Sequence, residues 1–152
     1  MSTLPNPHHS SGMDLTPKSL WRTYGESLIV DERMERVYAG PHADDLPFRA
    51  PCFVITAWNP MSEPTGEADN LARNEELWNR LQDQTDQIRA VVGQSPCGDW
   101  KEDSFLVAGL AEQEVLQMAT DYQQRAIFRL DDESKFVIDP QGNVRDHGAR
   151  CQ

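Results

Sequence analysis

Residues 53–60 read Phe-Val-Ile-Thr-Ala-Trp-Asn-Pro, an apolar run that stops at an Asn-Pro pair. A continuous apolar run of strand length, rich in β-forming residues, is typical of a central strand that is buried on both faces. Pro60 cannot donate a hydrogen bond to a neighbouring strand, and it restricts the backbone of the residue before it. We therefore expect the strand to end at Asn59 and expect Asn59 to be extended.

On both sides of this stretch, the hydrophobic pattern predicts further helices and strands. A Thr-Pro pair at residues 16 and 17 indicates the start of a short N-terminal helix. Residues 67–84 and 112–123 carry apolar side chains at helical spacing, and acidic residues in the first turn of the former suit the helix dipole. Short apolar or alternating runs predict strands at residues 87–93, 104–110, 126–130 and 135–138.

From Phe53 onward, the predicted order is β-α-β-β-α-β followed by one more strand. This is the order of the ferredoxin-like βαββαβ sandwich, in which both helices cover one face of an antiparallel sheet. We therefore predict an α+β fold of this type, with an N-terminal helix and an extra C-terminal strand. A single domain is expected at residues 14–140, between a disordered leader at 1–13 and a flexible tail at 141–152.

The composition argues against several classes of protein. The 152 residues include 25 acidic and 14 basic side chains, and the net charge of -11 repels the phosphate backbone of nucleic acids. The three cysteines have no CxxC or paired histidine spacing, and no Gly-rich phosphate loop occurs, so we expect neither metal nor cofactor. Without a signal peptide or an apolar run of roughly 18 residues, we expect a cytoplasmic protein that binds no membrane.

The predicted topology brings polar residues from distant parts of the chain to one edge of the sheet, which we call the rim. The first strand ends where its helix begins, and the second helix returns to the same edge before the last core strand. Asn70 and Asn74 lie one helical turn apart and share a face. The candidate ligand-binding residues at this rim are Thr56, Trp58, Asn59, Asn70, Asn74, Glu102, Ser104 and Gln124.

The chemistry of the rim suits hydrogen bonding to a neutral polar molecule better than phosphate binding. Glu102 is its only acid and hence the only catalytic candidate, although no His or second carboxylate accompanies it. Ser104 has no His partner, which argues against a Ser-His-Asp site. Asp103 should point to the opposite face of the strand from Glu102. These residue types leave it undecided whether the protein is an enzyme.

Two hypotheses about function stay open at this point. In the first, a small polar molecule binds at the rim. In the second, the chain is a protein-interaction or regulatory module, and the same polar residues only hold the loop after Trp58. The acidic surface and the sheet edges would then meet a basic protein partner or a second copy as a homodimer.

The same stretches resemble a known family of bacterial proteins, the DUF3293 family, whose function is unknown. The resemblance covers roughly Trp21 to Phe128, and the Ile-Thr-Ala-Trp-Asn-Pro string is its most specific part. It implies a single domain of cytosolic, bacterial origin and carries over no catalytic residue. The segments that carry it are Ile55–Pro60, Asn70, Asn74, Glu102–Phe105 and Gln124–Phe128.

Overall fold

The computed structural model describes residues 17–60 and 65–152, which form one antiparallel eight-stranded sheet and three helices. The strands lie in the order β2-β1-β4-β5-β3-β6-β7-β8 across the sheet. The predicted leader at residues 1–13 lies outside the described residues. The elements in chain order are α1 (Pro17–Gly25), β1 (Leu28–Asp31), β2 (Arg36–Ala39), β3 (Cys52–Ile55), α2 (Glu67–Gln82), β4 (Ile88–Gln94), β5 (Lys101–Val107), α3 (Glu112–Asp121), β6 (Ile127–Leu130), β7 (Ser134–Ile138) and β8 (Val144–Ala149).

The apolar run that begins at Phe53 forms β3, which lies inside the sheet between β5 and β6. All four of its side chains are buried. Phe53 and Ile55 pack in the same hydrophobic core as α2 and α3, whereas Cys52 and Val54 point to a second core on the other face. A strand with paired neighbours and two covered faces has no solvent-facing side, and this explains why its sequence does not alternate.

The ferredoxin-like sandwich that the sequence predicted is wrong. The sheet has eight strands because β1 and β2 extend it beyond β4, while β7 and β8 extend it beyond β6. The sheet also curls into a half-barrel. Gly40, which follows β2, forms a parallel bridge with Cys151, which follows β8, so the two edges of the sheet meet.

The two faces of the curled sheet carry separate hydrophobic cores. On the outer face, Leu77 of α2 and Val115 of α3 pack with residues of β3 and its neighbours. The inner core draws side chains from every strand from β1 to β7, as expected for the inside of a half-barrel, and includes Tyr24 of α1. Helix α1 packs against β7 and β8, whereas α2 lies on β5 and α3 on β3 and β6.

The guanidinium group of Arg150 holds the two edges of the half-barrel together. This side chain is buried, and it donates hydrogen bonds to the backbone carbonyls of Tyr38 and Asp44 near β2. It also donates to the carbonyls of Asp131 and Asp132 in the turn between β6 and β7. One side chain near the end of the chain therefore crosslinks three segments that are distant in sequence.

After Ile138 the chain turns back and forms β8, in a region that the sequence analysis assigned to a flexible tail. Asp139 organises the turn, since its Oδ1 atom accepts hydrogen bonds from the N–H groups of Gln141 and Asn143. Its Oδ2 atom accepts a hydrogen bond from Nε of Arg145 at 2.7 Å. Most side chains of β8 are exposed, so this strand lacks the alternating apolar pattern that identifies strands in a sequence.

Asp139→Asn should lower the free energy of unfolding at pH 7 by about 1–2 kcal/mol, because the charged contact with Arg145 is lost. Burial alone would raise the pKa of Asp139, but the hydrogen bonds from Asn143 and the Arg145 guanidinium outweigh burial and lower it. A carboxyl with a lowered pKa stabilises the fold above its unfolded pKa, and this contribution disappears as the pH falls through the folded pKa. Urea denaturation should therefore show a difference from the wild type that shrinks as the pH is lowered from 7 towards about 3. A difference that does not change with pH would contradict this account.

Candidate functional site

Three buried asparagines, which we call the asparagine cluster, hold the segment that follows β3. They are Asn59, Asn70 and Asn74, and each is at most 5% exposed. The Oδ1 atom of Asn74 accepts a hydrogen bond from the N–H of Ala57 at 2.8 Å, and its Nδ2 donates to the carbonyl of Asp103 at 2.8 Å. Asn74 on α2 therefore bridges the chain after β3 to strand β5.

Asn70 and Asn59 bind each other through both backbone and side chain. Oδ1 of Asn70 accepts a hydrogen bond from the N–H of Asn59, and its Nδ2 donates to Oδ1 of Asn59 at 2.7 Å. The Asn59 oxygen also accepts the N–H of Thr65, while the Thr65 carbonyl accepts a hydrogen bond from Asn70. These contacts hold Asn59 and Thr65, which lie in the described parts of the loop between β3 and α2, next to Asn70 of the helix.

The backbone of Asn59 has a φ of +41° and is not extended, so the predicted extended geometry before Pro60 is wrong. Asparagine is among the few residues with a side chain that adopt this left-handed conformation readily. Because Asn70 binds both the N–H and the side chain of Asn59, the hydrogen bonds select this conformation over the extended one.

The other polar residues around Asn59 join the same network. The hydroxyl of Thr56 donates to the carbonyl of Asp103 at 2.6 Å and accepts a hydrogen bond from the N–H of Trp58. Nε2 of Gln124, which follows α3, donates to the carbonyl of Trp58 at 3.1 Å. Thus six of the eight predicted rim residues lie together: Thr56, Trp58, Asn59, Asn70, Asn74 and Gln124.

Glu102 and Ser104 lie on the other face of the sheet and do not join this network through their side chains. Their neighbours across the β4–β5 ladder are Gly93 and Val91, and the Val91 side chain belongs to the inner core. Both residues are buried, and the Ser104 hydroxyl donates to the carbonyl of Glu102. Successive strand residues point to opposite faces, so it is Asp103 that faces α2.

Arg73 also contributes to the network, although it is not among the rim residues that were predicted from the sequence. Its Nε donates to the carbonyl of Ala57 at 3.0 Å, and its Nη2 donates to the carbonyl of Tyr122 at 2.8 Å. Arg73 therefore ties the chain after β3 to the C-terminal end of α3. The signal was present in the sequence, because Asn70, Arg73 and Asn74 follow the i, i+3, i+4 spacing of one helix face.

A cleft of about 650 Å³ opens beside the asparagine cluster, between α2 and strands β4 and β5. Among the described residues, α2 and α3 lie mainly over β5, β3 and β6, and Ala90 of β4 is left exposed on this face. We call it the α2 cleft. Its principal lining residues are Leu71, Asn74, Trp78, Ala90, Asp103 and Phe105.

Among the charged side chains that line the α2 cleft, acids outnumber bases. Glu32 and Glu75 line it together with Asp103, and Arg33 is the one basic residue among the described residues of the lining. The pKa of Asp103 is raised, first by its partial burial and then by the carboxylates of Glu32 and Glu67. Burial and the neighbouring carboxylates both disfavour the charged form of Asp103.

The described residues contain no group of three or more His, Cys, Asp or Glu side chains arranged to hold a metal ion. Within the same residues, no helix has both the length and the apolar character needed to cross a membrane.

Comparison with known proteins identifies one family. The DUF3293 family model, described as a protein of unknown function, matches residues 55–127 and confirms the resemblance seen in the sequence. The match runs from the last residue of β3 to the first of β6 and covers just under half of the chain. It includes the whole asparagine cluster and most of the lining of the α2 cleft. No curated protein and no solved structure matches the chain.

Proposed function

We propose that this protein, whose DUF3293 match carries no known function, binds a small molecule in the α2 cleft. The observation that carries the proposal is the cleft itself. Its volume of about 650 Å³ lies within the range of about 300–1,000 Å³ that is usual for ligand sites. The exposed surface of its lining is mainly apolar, and the lining also carries the carboxylates of Glu32, Glu75 and Asp103. An apolar pocket with a few convergent polar groups is the arrangement that binds and orients small ligands.

The asparagine cluster supports this site by shaping it. Both polar atoms of the Asn74 amide and both of the Asn70 amide are bonded to the protein. A buried amide whose bonds are already made gains little from a ligand, and breaking those bonds would cost free energy. We infer that the cluster positions α2 against β5 and so fixes the width of the cleft, and that Glu102, on the opposite face, does not contact the ligand.

The proposal predicts that filling the α2 cleft abolishes ligand binding. Ala90 is exposed on β4 and lines the cleft, so Ala90→Phe should occupy the ligand volume without removing a buried contact. A fragment library screened by two-dimensional NMR should yield compounds that shift the indole N–H signal of Trp78. These shifts should disappear in Ala90→Phe and persist in the control Val144→Phe, an exposed site on β8. Hits that survive in Ala90→Phe, or a screen in which Trp78 never responds, would contradict the proposal.

A specific observation favours a second candidate, the protein-interaction module. Met34 and Leu71 are large hydrophobic residues that are 53% and 50% exposed, and both lie beside Trp78. Leu71 lines the α2 cleft, and Met34 lines an adjoining cavity of about 320 Å³. If this surface mediates self-association, sedimentation velocity should show a dimer whose population grows with concentration and disappears in Leu71→Lys. A monomer at every concentration would count against a homodimer.

A further inference from the structure

We infer that the ligand of the α2 cleft is an organic cation, a protonated amine attached to an aromatic or aliphatic body. The inference rests on the proposed function and specifies the chemical class of the ligand. Three properties of the lining support this inference. They are its aromatic surface, its carboxylates and the absence of ion pairs between those carboxylates and other described residues.

The apolar surface of the cleft suits a small hydrocarbon or aromatic group. Trp78 of α2 packs against Phe105 of β5, with ring centroids 5.4 Å apart. Trp78 is only half-buried, and it lines both the α2 cleft and the adjoining cavity. Tryptophan also provides the strongest face for a cation, because its ring system carries the largest negative electrostatic potential of the aromatic side chains.

Some acids near α2 and α3 are compensated by ion pairs, and within the described residues the carboxylates that line the cleft are not. Asp121 pairs with Arg80 at 2.8 Å, and Glu112 pairs with Arg129 at 2.8 Å. By contrast, Glu32, Glu75 and Asp103 form no ion pair with another described residue. The cleft therefore presents three negative charges, and a ligand ammonium group would offset them.

An anionic ligand would meet unfavourable charge in the same place. Arg33 is exposed in the turn between β1 and β2, and an anion bound to it would still lie beside three carboxylates. The chain as a whole carries a net charge of -11, which strengthens the repulsion of anions and the attraction of cations. A neutral ligand would gain the apolar contacts but nothing from the charges.

Three probes with one aromatic body test this inference: 2-phenylethylamine, 2-phenylethanol and phenylacetate. At pH 7 they are a cation, a neutral molecule and an anion, since alkyl amines stay protonated as lysine does. Titrations followed on the Trp78 indole signal should give a dissociation constant about tenfold lower for the amine than for the alcohol, and the weakest binding for phenylacetate. The preference should decrease at about 0.5 M salt, because salt screens the charges.

Asp103→Asn is the matched variant, and Glu114→Gln, an exposed acid on α3 outside the cleft, is its control. The preference for the amine should fall to about threefold in Asp103→Asn and remain unchanged in Glu114→Gln. Equal binding of amine and alcohol to the wild type, or tighter binding of phenylacetate, would overturn the inference and leave the proposed ligand site intact. If none of the three probes shifts Trp78, the proposed site itself is wrong.

Discussion

Asn74→Ala should lower the free energy of unfolding by about 3 kcal/mol, because it removes a hydrogen bond from the buried N–H of Ala57 and another from the partly buried carbonyl of Asp103. The N–H of Ala57 loses its bond to the Asn74 oxygen at 2.8 Å. The carbonyl of Asp103 loses one of its two side-chain partners and keeps the hydroxyl of Thr56. The N–H of Ala57 would have no solvent to replace this bond, since Asn74 is only 5% exposed and Ala57 is fully buried. The free energy can be measured by urea denaturation.

Two variants separate this hydrogen-bond effect from general effects on the helix. Asn79→Ala removes an exposed asparagine from the same helix and should change the free energy of unfolding by no more than about 0.5 kcal/mol. Asn74→Asp keeps an oxygen for Ala57 but places a carboxylate oxygen against the Asp103 carbonyl, so it should also be strongly destabilising. If Asn74→Ala and Asn79→Ala have equal effects, the asparagine cluster does not hold the end of β3 as described.

The central part of this fold was accessible from the sequence because its signals are local and mutually consistent. The stripe of Asn70, Asn74, Leu77 and Leu81 follows helical spacing, and these four residues are the buried ones of α2. The predicted meeting of Trp58 with Gln124 required only the order of the helices and strands between them. Helices α2 and α3 both begin at the predicted residues, Glu67 and Glu112, whereas β3 ends at Ile55 rather than Asn59 and β5 covers Lys101–Val107 rather than 104–110. The convergence of the six polar residues tolerates these shifts because it depends on the order of the elements.

The α+β class was accessible from the sequence, but the eight-stranded half-barrel was not, because its closure depends on contacts that leave no pattern in the sequence. Residues 144–149 are mostly exposed in β8, so neither hydrophobic alternation nor an apolar run indicated a strand. The curl depends on Arg150, which binds backbone carbonyls, and any residue type can provide a carbonyl. In the sequence, Arg150 is one basic residue near the end of the chain.

The position of the candidate site shows the same difference between local and tertiary information. Strand alternation correctly separated Glu102 from Asp103, but the prediction placed Glu102 at the rim, whereas it is Asp103 that faces α2. The α2 cleft lies where the described helices leave Ala90 of β4 exposed, and that depends on the packing of α2 and α3 as whole helices. Asp103 therefore became a candidate only once the helices were in place.

Arg150→Ala should be the most destabilising single change, with a loss of about 4 kcal/mol in the free energy of unfolding. The guanidinium group is buried and donates to four backbone carbonyls, including that of Asp44 at 2.7 Å. Without it these carbonyls lose a charged donor. Among the described residues, backbone hydrogen bonds would still join the two edges of the half-barrel, such as the bond from the N–H of Gly40 to the carbonyl of residue 150 at 2.9 Å. Amide hydrogen exchange should therefore accelerate in β2 and β8 more than in β3.

The arginine geometry makes the control variants informative. Arg150→Lys keeps the positive charge but replaces a rigid planar group of five donors by three donors on one nitrogen, so it should recover only part of the lost stability. Arg49→Ala removes an exposed arginine and should leave both stability and exchange close to those of the wild type. Uniformly faster exchange in all strands of Arg150→Ala would mean that Arg150 stabilises the whole fold without specifically closing the half-barrel. If Arg150→Lys has the same free energy of unfolding as the wild type, the positive charge, rather than the planar set of N–H donors, joins the two edges of the sheet.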